Sequence, residues 1–577
     1  MPLMALRSQT IRSINRQADA LRMGVGWSED DLYKPQVVVE SVFGDSHPGS
    51  GHLDQLVEAA VLGVHLGGAR PARYFATDIC DGIAQAHDGM NYSLASREAI
   101  ADLVELHAEG HQNDGLLCIS SCDKAIPAHL IAMARVGLPA IHVPGGGQGS
   151  GPELLSSEAL YTIGDQVDRG EVPESELAFA TRNACPSCGA CQFMGTASTG
   201  QVMAEALGLA LPGSALVPAT LNHLRLGARA AGGQLVQLVR RGITTRDILT
   251  RKAFENAITV HSAVGGSSNY LLHLPAIARA AGIDIRVEDF ERIHARVPVL
   301  ANVKTSGQYT SEQFWYAGGV LALMQEIREF LHLDALTVTG KTVGENLADV
   351  ARSGFLDEVR RWLGNYHLNW REVIFPLQAP FKPYGSAAIL RGSLAPVGAV
   401  TKRSSIAREM QVHTGPARVF DSEEAVIQAL LDPSGLVQPG EVLVLRYEGP
   451  RASGMPELLR CTEILISNPR LAHNMIVSDG RFSGVTRGPA IGYVTPEAID
   501  GGPIALIQDG DLVRADIPAG QLDIIGWAGR EYSADAVQAE LERRHASWQP
   551  RPPRYTTGVL GRFCRLARSA MDGATLD

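Results

Sequence analysis

No segment of this chain of 577 residues holds the roughly 18 consecutive apolar residues that a membrane-crossing helix needs. Basic excess is lacking too, since 51 Lys and Arg stand against 62 Asp and Glu, for a formal net charge of −11. Nucleic acids and anionic membranes are bound through cationic footprints that release counterions, so neither is an expected partner and small molecules are. Cysteine is sparse at eight, and five of the eight fall in two clumps at 118–122 and 185–191. Disulfide frameworks belong to small secreted domains; reduced thiols in a cytoplasm, free to bind metal, are the expectation here. No repeat or low-complexity tract is present. The first 25 residues set Arg7, Arg12, Arg16 and Arg22 against one acid, Asp19, which resembles a transit peptide superficially; an amphipathic N-terminal helix accounts for the pattern equally well.

What is present reads as strands alternating with helices. Gln36 to Val42 is a buried strand, a Gly/Ser/Pro/His loop follows, and a helix is predicted from about Leu53 to Leu66. Further strands are expected at Tyr74–Thr77, Leu116–Ser120 and Ala140–Val143, with helices at Ser96–Ala108, capped by Ser96, and at Ile126–Val136. This alternation predicts a doubly wound parallel sheet covered on both faces, continuing as α/β through 225–375. From about Val373 prolines and glycines break up short β-rich segments, including Val442–Leu445, Met475–Val477, Ala505–Ile507 and Leu512–Ala515, and a closed or partly closed β-barrel is expected there. The predicted division is an α/β region over 1–375, itself of one or two subdomains, and a β-barrel region over 376–577.

Three stretches carry chemistry. Cys122-Asp123-Lys124 follows an apolar strand, and a second Cys-Asp pair, Cys80-Asp81, stands at another predicted strand end, where α/β sheets place ligands. Two such pairs favour an oxygen-ligated divalent metal beside a thiolate-ligated one over simple helix caps. Lysine becomes a ligand only after reaction with carbon dioxide to a carbamate. In the second stretch Cys185, Cys188 and Cys191 are three apart, but Gly195 stands where a ferredoxin-type run needs a cysteine; an iron–sulfur cluster leads, with structural zinc and inert buried thiols as alternatives. The third, Ser478 to Gly484, presents Ser483 between glycines without being a Gly-x-Ser-x-Gly elbow, and by spacing alone it is a turn. Gly145 to Gly151 lacks P-loop spacing and reads as a connecting or site loop.

These residues, with Gly265-Gly-Ser-Ser-Asn269, Arg446-Tyr-Glu-Gly-Pro450 and Ala184 to Cys191, resemble the dihydroxy-acid dehydratase and 6-phosphogluconate dehydratase family from about residue 20 to the C-terminus. The resemblance implies an α/β half, a swivelling β-barrel domain, and a homodimer or homotetramer with the site between domains. It implies Cys122 and Cys191 as cluster ligands, Asp81, Asp123, carbamylated Lys124 and Glu448 as the Mg²⁺ shell, and Ser483 as the base in removing water from a 2,3-dihydroxy carboxylate. Gly49 occupies the place where many members with a [2Fe–2S] cluster carry cysteine, so Cys80 is the candidate third ligand and a [4Fe–4S] cluster is favoured over [2Fe–2S]. Cys118, Cys461 and Cys564 are then ordinary buried thiols. The segments 241–249, 259–264 and 332–346 look most like aldonate dehydratases of the xylonate type, so a sugar acid is the expected substrate. The alternative is the branched-chain dihydroxy-acid reaction of valine and isoleucine biosynthesis; a non-catalytic iron–sulfur or zinc protein is a remote one.

Overall fold

The computed structural model describes residues 6–576. Its first layer is a parallel sheet of β1 (Gln36–Ser41), β2 (Arg70–Phe75), β3 (Gly115–Ser120) and β4 (Ala140–Pro144), in the order β2-β1-β3-β4. The apolar runs Val37-Val38-Val39 and Leu116-Leu117 are fully buried, as strands covered on both faces must be. Helix Leu53–Gly67 follows β1, helix Asn91–Gly110 follows β2 and helix Ala125–Val136 follows β3. Winding proceeds outward from β1 to β2 and then crosses over to β3. The strand order therefore reverses between β1 and β3, leaving a crevice at their carboxyl ends.

Glycines set the helix layer against its neighbour. A Cβ at Gly63 would lie 1.9 Å from the Arg229 carbonyl oxygen, and one at Gly232 would lie 2.2 Å from that of Ala60, so helices Leu53–Gly67 and Asn222–Arg241 meet backbone to backbone. Gly63→Ala gains about 1 kcal/mol of helix propensity but forces overpacking worth about 3 kcal/mol against a carbonyl that cannot turn away. Thermal unfolding of that variant is expected at a lower midpoint than wild type, with a net loss of about 2 kcal/mol; an unchanged midpoint would refute the close approach.

Between β4 and residue 387 the described chain contributes helices and no sheet strand, which corrects the α/β expectation for 225–375. Helix Arg251–Val264 explains the misreading, because nearly every residue from Ala253 to Val264 is buried. A helix buried all round loses its 3.6-residue signature and reads as an apolar run. The helix expected from Ser96 begins at Asn91 instead, and Ser96 Oγ donates to Ser93 O within it.

The C-terminal region is a curled mixed sheet. Its strands are β5 (Ala388–Leu390), β6 (Gly398–Thr401), β7 (Val412–Phe420), β8 (Val442–Leu445), β10 (Met475–Ser478), β12 (Ala490–Thr495), β13 (Leu512–Asp516), β14 (Gln521–Trp527) and β15 (Arg530–Glu531). A separate parallel pair consists of β9 (Glu457–Leu458) and β11 (Arg481–Phe482). The order β15-β14-β13-β7-β8-β10-β12-β6-β5 bends until residues beyond β5 reach β14: Arg391 N–H donates to Gly520 O and Leu522 N–H to Arg391 O, each at 2.9 Å. Val444, Val477, Ile491 and Val513 fill the interior. The strand expected at Ala505–Ile507 is a helical turn, Pro503–Leu506, because Pro503 pre-sets a first helical position. Leu560 and Phe563, on the late helix Gly558–Leu566, join the core of the first region; the end of the chain thus packs back across the expected boundary at 375. Among the described residues no helix is long and apolar enough to cross a membrane.

Candidate active site

Three loops at the carboxyl edge of the parallel sheet meet two segments of the barrel region. After β1 comes the loop with His47 and Gly49, after β2 comes Cys80-Asp81, and after β3 comes Cys122-Asp123-Lys124. From the barrel, β9 brings Glu457 and β11 brings Arg481, directly opposite each other in the ribbon, with Ser483 just beyond. The walls enclose a cavity of about 370 Å³ lined by Cys80, Asp81, Cys122, Asp123, Cys191 and Ser483 among others.

Carboxylate oxygens of Asp81, Asp123 and Glu457 lie within 4.8 Å of one another. Lys124 Nζ donates to Asp81 Oδ2 at 2.5 Å and to Glu457 Oε1 at 3.0 Å. The same Glu457 oxygen accepts from Arg481 Nη1 at 2.7 Å and Asn269 Nδ2 at 2.8 Å, and Ser93 Oγ donates to Asp81 Oδ1 at 2.8 Å. Burial disfavours the charged form of Asp81, yet Lys124 and Arg481 outweigh it and hold its pKa below the usual range. Burial, and then the charge of Asp81, push Asp123 well up. With all three carboxylates ionised, Lys124 and Arg481 leave one negative charge in excess in a buried place, which is costly without a further cation and is why Asp123 keeps its proton when none is bound. An all-oxygen donor set of this kind fits a hard divalent ion.

Soft ligands line the other side. Burial pushes the thiols of Cys122 and Cys191 well up and that of Cys80 to about 11, so each is neutral until a metal takes its proton. A Cβ placed on Gly49 would lie 2.2 Å from Cys122 Sγ, which puts the cysteine-to-glycine difference against the thiol cluster itself. His47 Nδ1 stands 3.9 Å from Cys122 Sγ, with its Nε2 3.1 Å from Ser50 Oγ. Cys185 also lines the cavity, while Cys118, Cys461 and Cys564 are buried elsewhere.

Glu448, expected in the oxygen shell, does not join it. Its Oε2 accepts from Ser453 Oγ at 2.9 Å and its Oε1 from the Glu423 N–H at 3.2 Å, and burial raises its pKa to about 8. Glu457 takes the position instead. Sequence reasoning passed it over because Gly454-Met-Pro-Glu457 reads as a turn entering an apolar segment; the available signal was an acid placed directly before Leu458-Leu459, where an unpaired charge would be unfavourable. Ser483, a turn residue by spacing, faces the cavity, and its Oγ accepts a long hydrogen bond from the Val485 N–H at 3.5 Å. Gly484 allows this, since a Cβ there would lie 2.7 Å from both Thr196 N and Ser267 Oγ. The turn is thus pressed onto the N-terminus of helix Thr196–Ala206, whose first residues line the cavity.

The chain is similar to known proteins over nearly its whole length. The model for the dihydroxy-acid/6-phosphogluconate dehydratase N-terminal region matches residues 34–346, and its C-terminal counterpart matches residues 372–574. The chain is 40% identical over 565 residues to a dihydroxy-acid dehydratase of Acetivibrio thermocellus, covering 97% of each. It is 41% identical over 561 residues to that of Caldanaerobacter subterraneus subsp. tengcongensis, covering 96% of each. With the dihydroxy-acid dehydratase of Ignicoccus hospitalis the identity is 41% over 566 residues, covering 97% of each.

Proposed function

The chain belongs to the dihydroxy-acid/6-phosphogluconate dehydratase family, and from that premise we propose that it removes water from a 2,3-dihydroxy carboxylate with a short branched apolar tail, yielding the 2-keto acid. The sugar-acid expectation gives way to its alternative for two reasons. Relatives at 40–41% identity over nearly the whole chain are named dihydroxy-acid dehydratase. In addition, none of the segments 241–249, 259–264 and 332–346 that suggested an aldonate lines the cavity. The observation that carries the reading is the cavity wall: Ile83, Leu160, Phe193, Leu459 and Val485. A branched alkyl tail buried there gains about 0.8 kcal/mol per CH₂, whereas the hydroxyls of a sugar acid would go unpaired against these side chains.

Cys122, Cys191 and Cys80 would hold the iron–sulfur cluster, favoured as [4Fe–4S] with [2Fe–2S] as the alternative, and Asp81, Asp123 and Glu457 would hold Mg²⁺. Together these groups would supply Lewis-acid help to the departing 3-hydroxyl and stabilise charge beside C2. Carboxylates on both sides favour the ammonium form of Lys124, so its carbamylation is expected only when a divalent ion takes up their charge. Arg481 and Asn269 keep Glu457 in place through hydrogen bonds at 2.7 and 2.8 Å. The N-terminal turn of helix Thr196–Ala206 presents free N–H groups and the positive end of its dipole to the substrate carboxylate. Ser483 takes the C2 proton, and the enclosing apolar wall keeps bulk water from the enol until it becomes the ketone.

The test is a keto-acid assay on anaerobically purified protein with 2,3-dihydroxyisovalerate, xylonate and gluconate, alongside iron, sulfide and magnesium analysis. We expect kcat/KM for dihydroxyisovalerate to exceed that for either sugar acid by about 100-fold; faster turnover of xylonate would restore the sugar-acid reading.

A further inference from the structure

Lys402, directly after β6, is buried and unlike the other lysine at the site has no carboxylate among its acceptors. Its Nζ reaches Thr305 Oγ1 at 2.5 Å, Met194 O at 3.1 Å and Gly484 O at 3.1 Å. An ammonium has three N–H bonds, and three oxygens receive them. Holding a charge here is unfavourable: burial alone pushes Lys402 down to about 7, and an apolar residue of the same length would avoid that cost.

The acceptors belong to three separate stretches of chain. Gly484 follows Ser483. Met194 comes three residues after Cys191, and its own N–H donates to Lys304 O at 2.5 Å. Thr305 belongs to the helical region and also donates to Gly484 O, at 3.4 Å. One barrel side chain thereby ties the turn carrying Ser483 to the loop carrying a cavity thiol, at the seam between the two regions.

We propose that Lys402 is a positioning residue that fixes the Ser483 turn against the Cys191 loop and so holds the Ser483 hydroxyl in the direction proton abstraction needs. The inference rests on the reading of Ser483 as the base. The three hydrogen bonds restrict the Gly484 carbonyl and with it the direction of the neighbouring serine, which is the kind of alignment on which proton abstraction depends.

The experiment is a double-mutant cycle with Lys402→Met and Ser483→Ala on dihydroxyisovalerate, with iron–sulfur absorbance and thermal midpoint measured on every variant. Lys402→Met is expected to lower kcat by about 100-fold with KM within about threefold of wild type. In the Ser483→Ala background the same change is expected to cost less than about threefold, because the group it serves is gone. Wild-type kcat in Lys402→Met overturns the proposal, and so does an equal loss in both backgrounds, which would make Lys402 a general support of the fold. If Lys402→Met does not fold, Thr305→Val keeps the charge and removes one acceptor; a kcat loss of about fivefold that vanishes with Ser483→Ala is expected, and an additive loss refutes the inference. A wild type that dehydrates none of the substrates would instead remove the parent reading and this one with it.

Discussion

Glu457→Gln is expected to lower kcat/KM by about 10³-fold, whereas Glu448→Gln should stay within about tenfold of wild type. The contrast follows from what each carboxylate touches. Lys124, Arg481 and Asn269 converge on one oxygen of Glu457, so an amide there removes the charge that balances two buried cations and takes one oxygen anion from the group shared with Asp81 and Asp123. Breaking one side of a buried ion pair costs about 3–5 kcal/mol, and the thermal midpoint should fall as well. Retention of Mg²⁺ by the folded fraction, measured by titration calorimetry, separates lost binding from lost fold. Glu448, by contrast, has a pKa raised to about 8 and is largely a neutral acid at pH 7. A glutamine copies its charge, its Oε1 can accept from the Glu423 N–H, and its Nε2 can donate to Ser453 Oγ, a hydroxyl that accepts as well as donates. Loss of activity in Glu448→Gln with retention in Glu457→Gln would overturn the assignment and restore the sequence expectation.

Ser483→Ala should lower kcat by about 10³-fold and leave the rest of the protein as it was. Among the described residues its Oγ is hydrogen-bonded only by the Val485 N–H, at the long distance of 3.5 Å, so the alanine variant strands no strongly bonded buried partner and the fold is expected to melt as wild type does. Iron and sulfide content should also persist, since no cavity thiol depends on this hydroxyl. Anaerobic assays with cluster absorbance recorded on the same samples provide the check. A variant that keeps kcat within tenfold would move the base elsewhere in the cavity.

The first half of the fold was legible where its strands are buried runs bounded by turns, as β1, β3 and β4 are, whereas β2, half exposed, lies at Arg70–Phe75 rather than at the expected Tyr74–Thr77. Val37-Val38-Val39 and Leu116-Leu117 appear where apolar runs predicted them, and β1, β3 and β4 fall within a residue or two of expectation. Legibility failed at 225–375, where buried helices such as Arg251–Val264 show no polar face. It failed at Ala505–Ile507 as well, where Pro503 outweighs β propensity. The curl of the barrel, made by Arg391 meeting Gly520 and Leu522, depends on strand partners more than a hundred residues apart and leaves no local signature.

By itself the sequence determined the composition of the site on the sheet side: Cys122, Asp123 and Lys124 are covalent neighbours at a strand end, so thiol, carboxylate and amine must arrive together. Tertiary structure alone decided which glutamate completes them, through the parallel pairing of β9 with β11 that sets Glu457 opposite Arg481 and leaves Glu448 bonded to Ser453. It also decided that Gly49 lies against Cys122 and that Lys402 joins Ser483's turn to the Cys191 loop. The physical reason is the same in each case. Strand register and burial are fixed by packing between distant segments, and a charge or a missing Cβ acquires its meaning only from the atoms that packing places beside it.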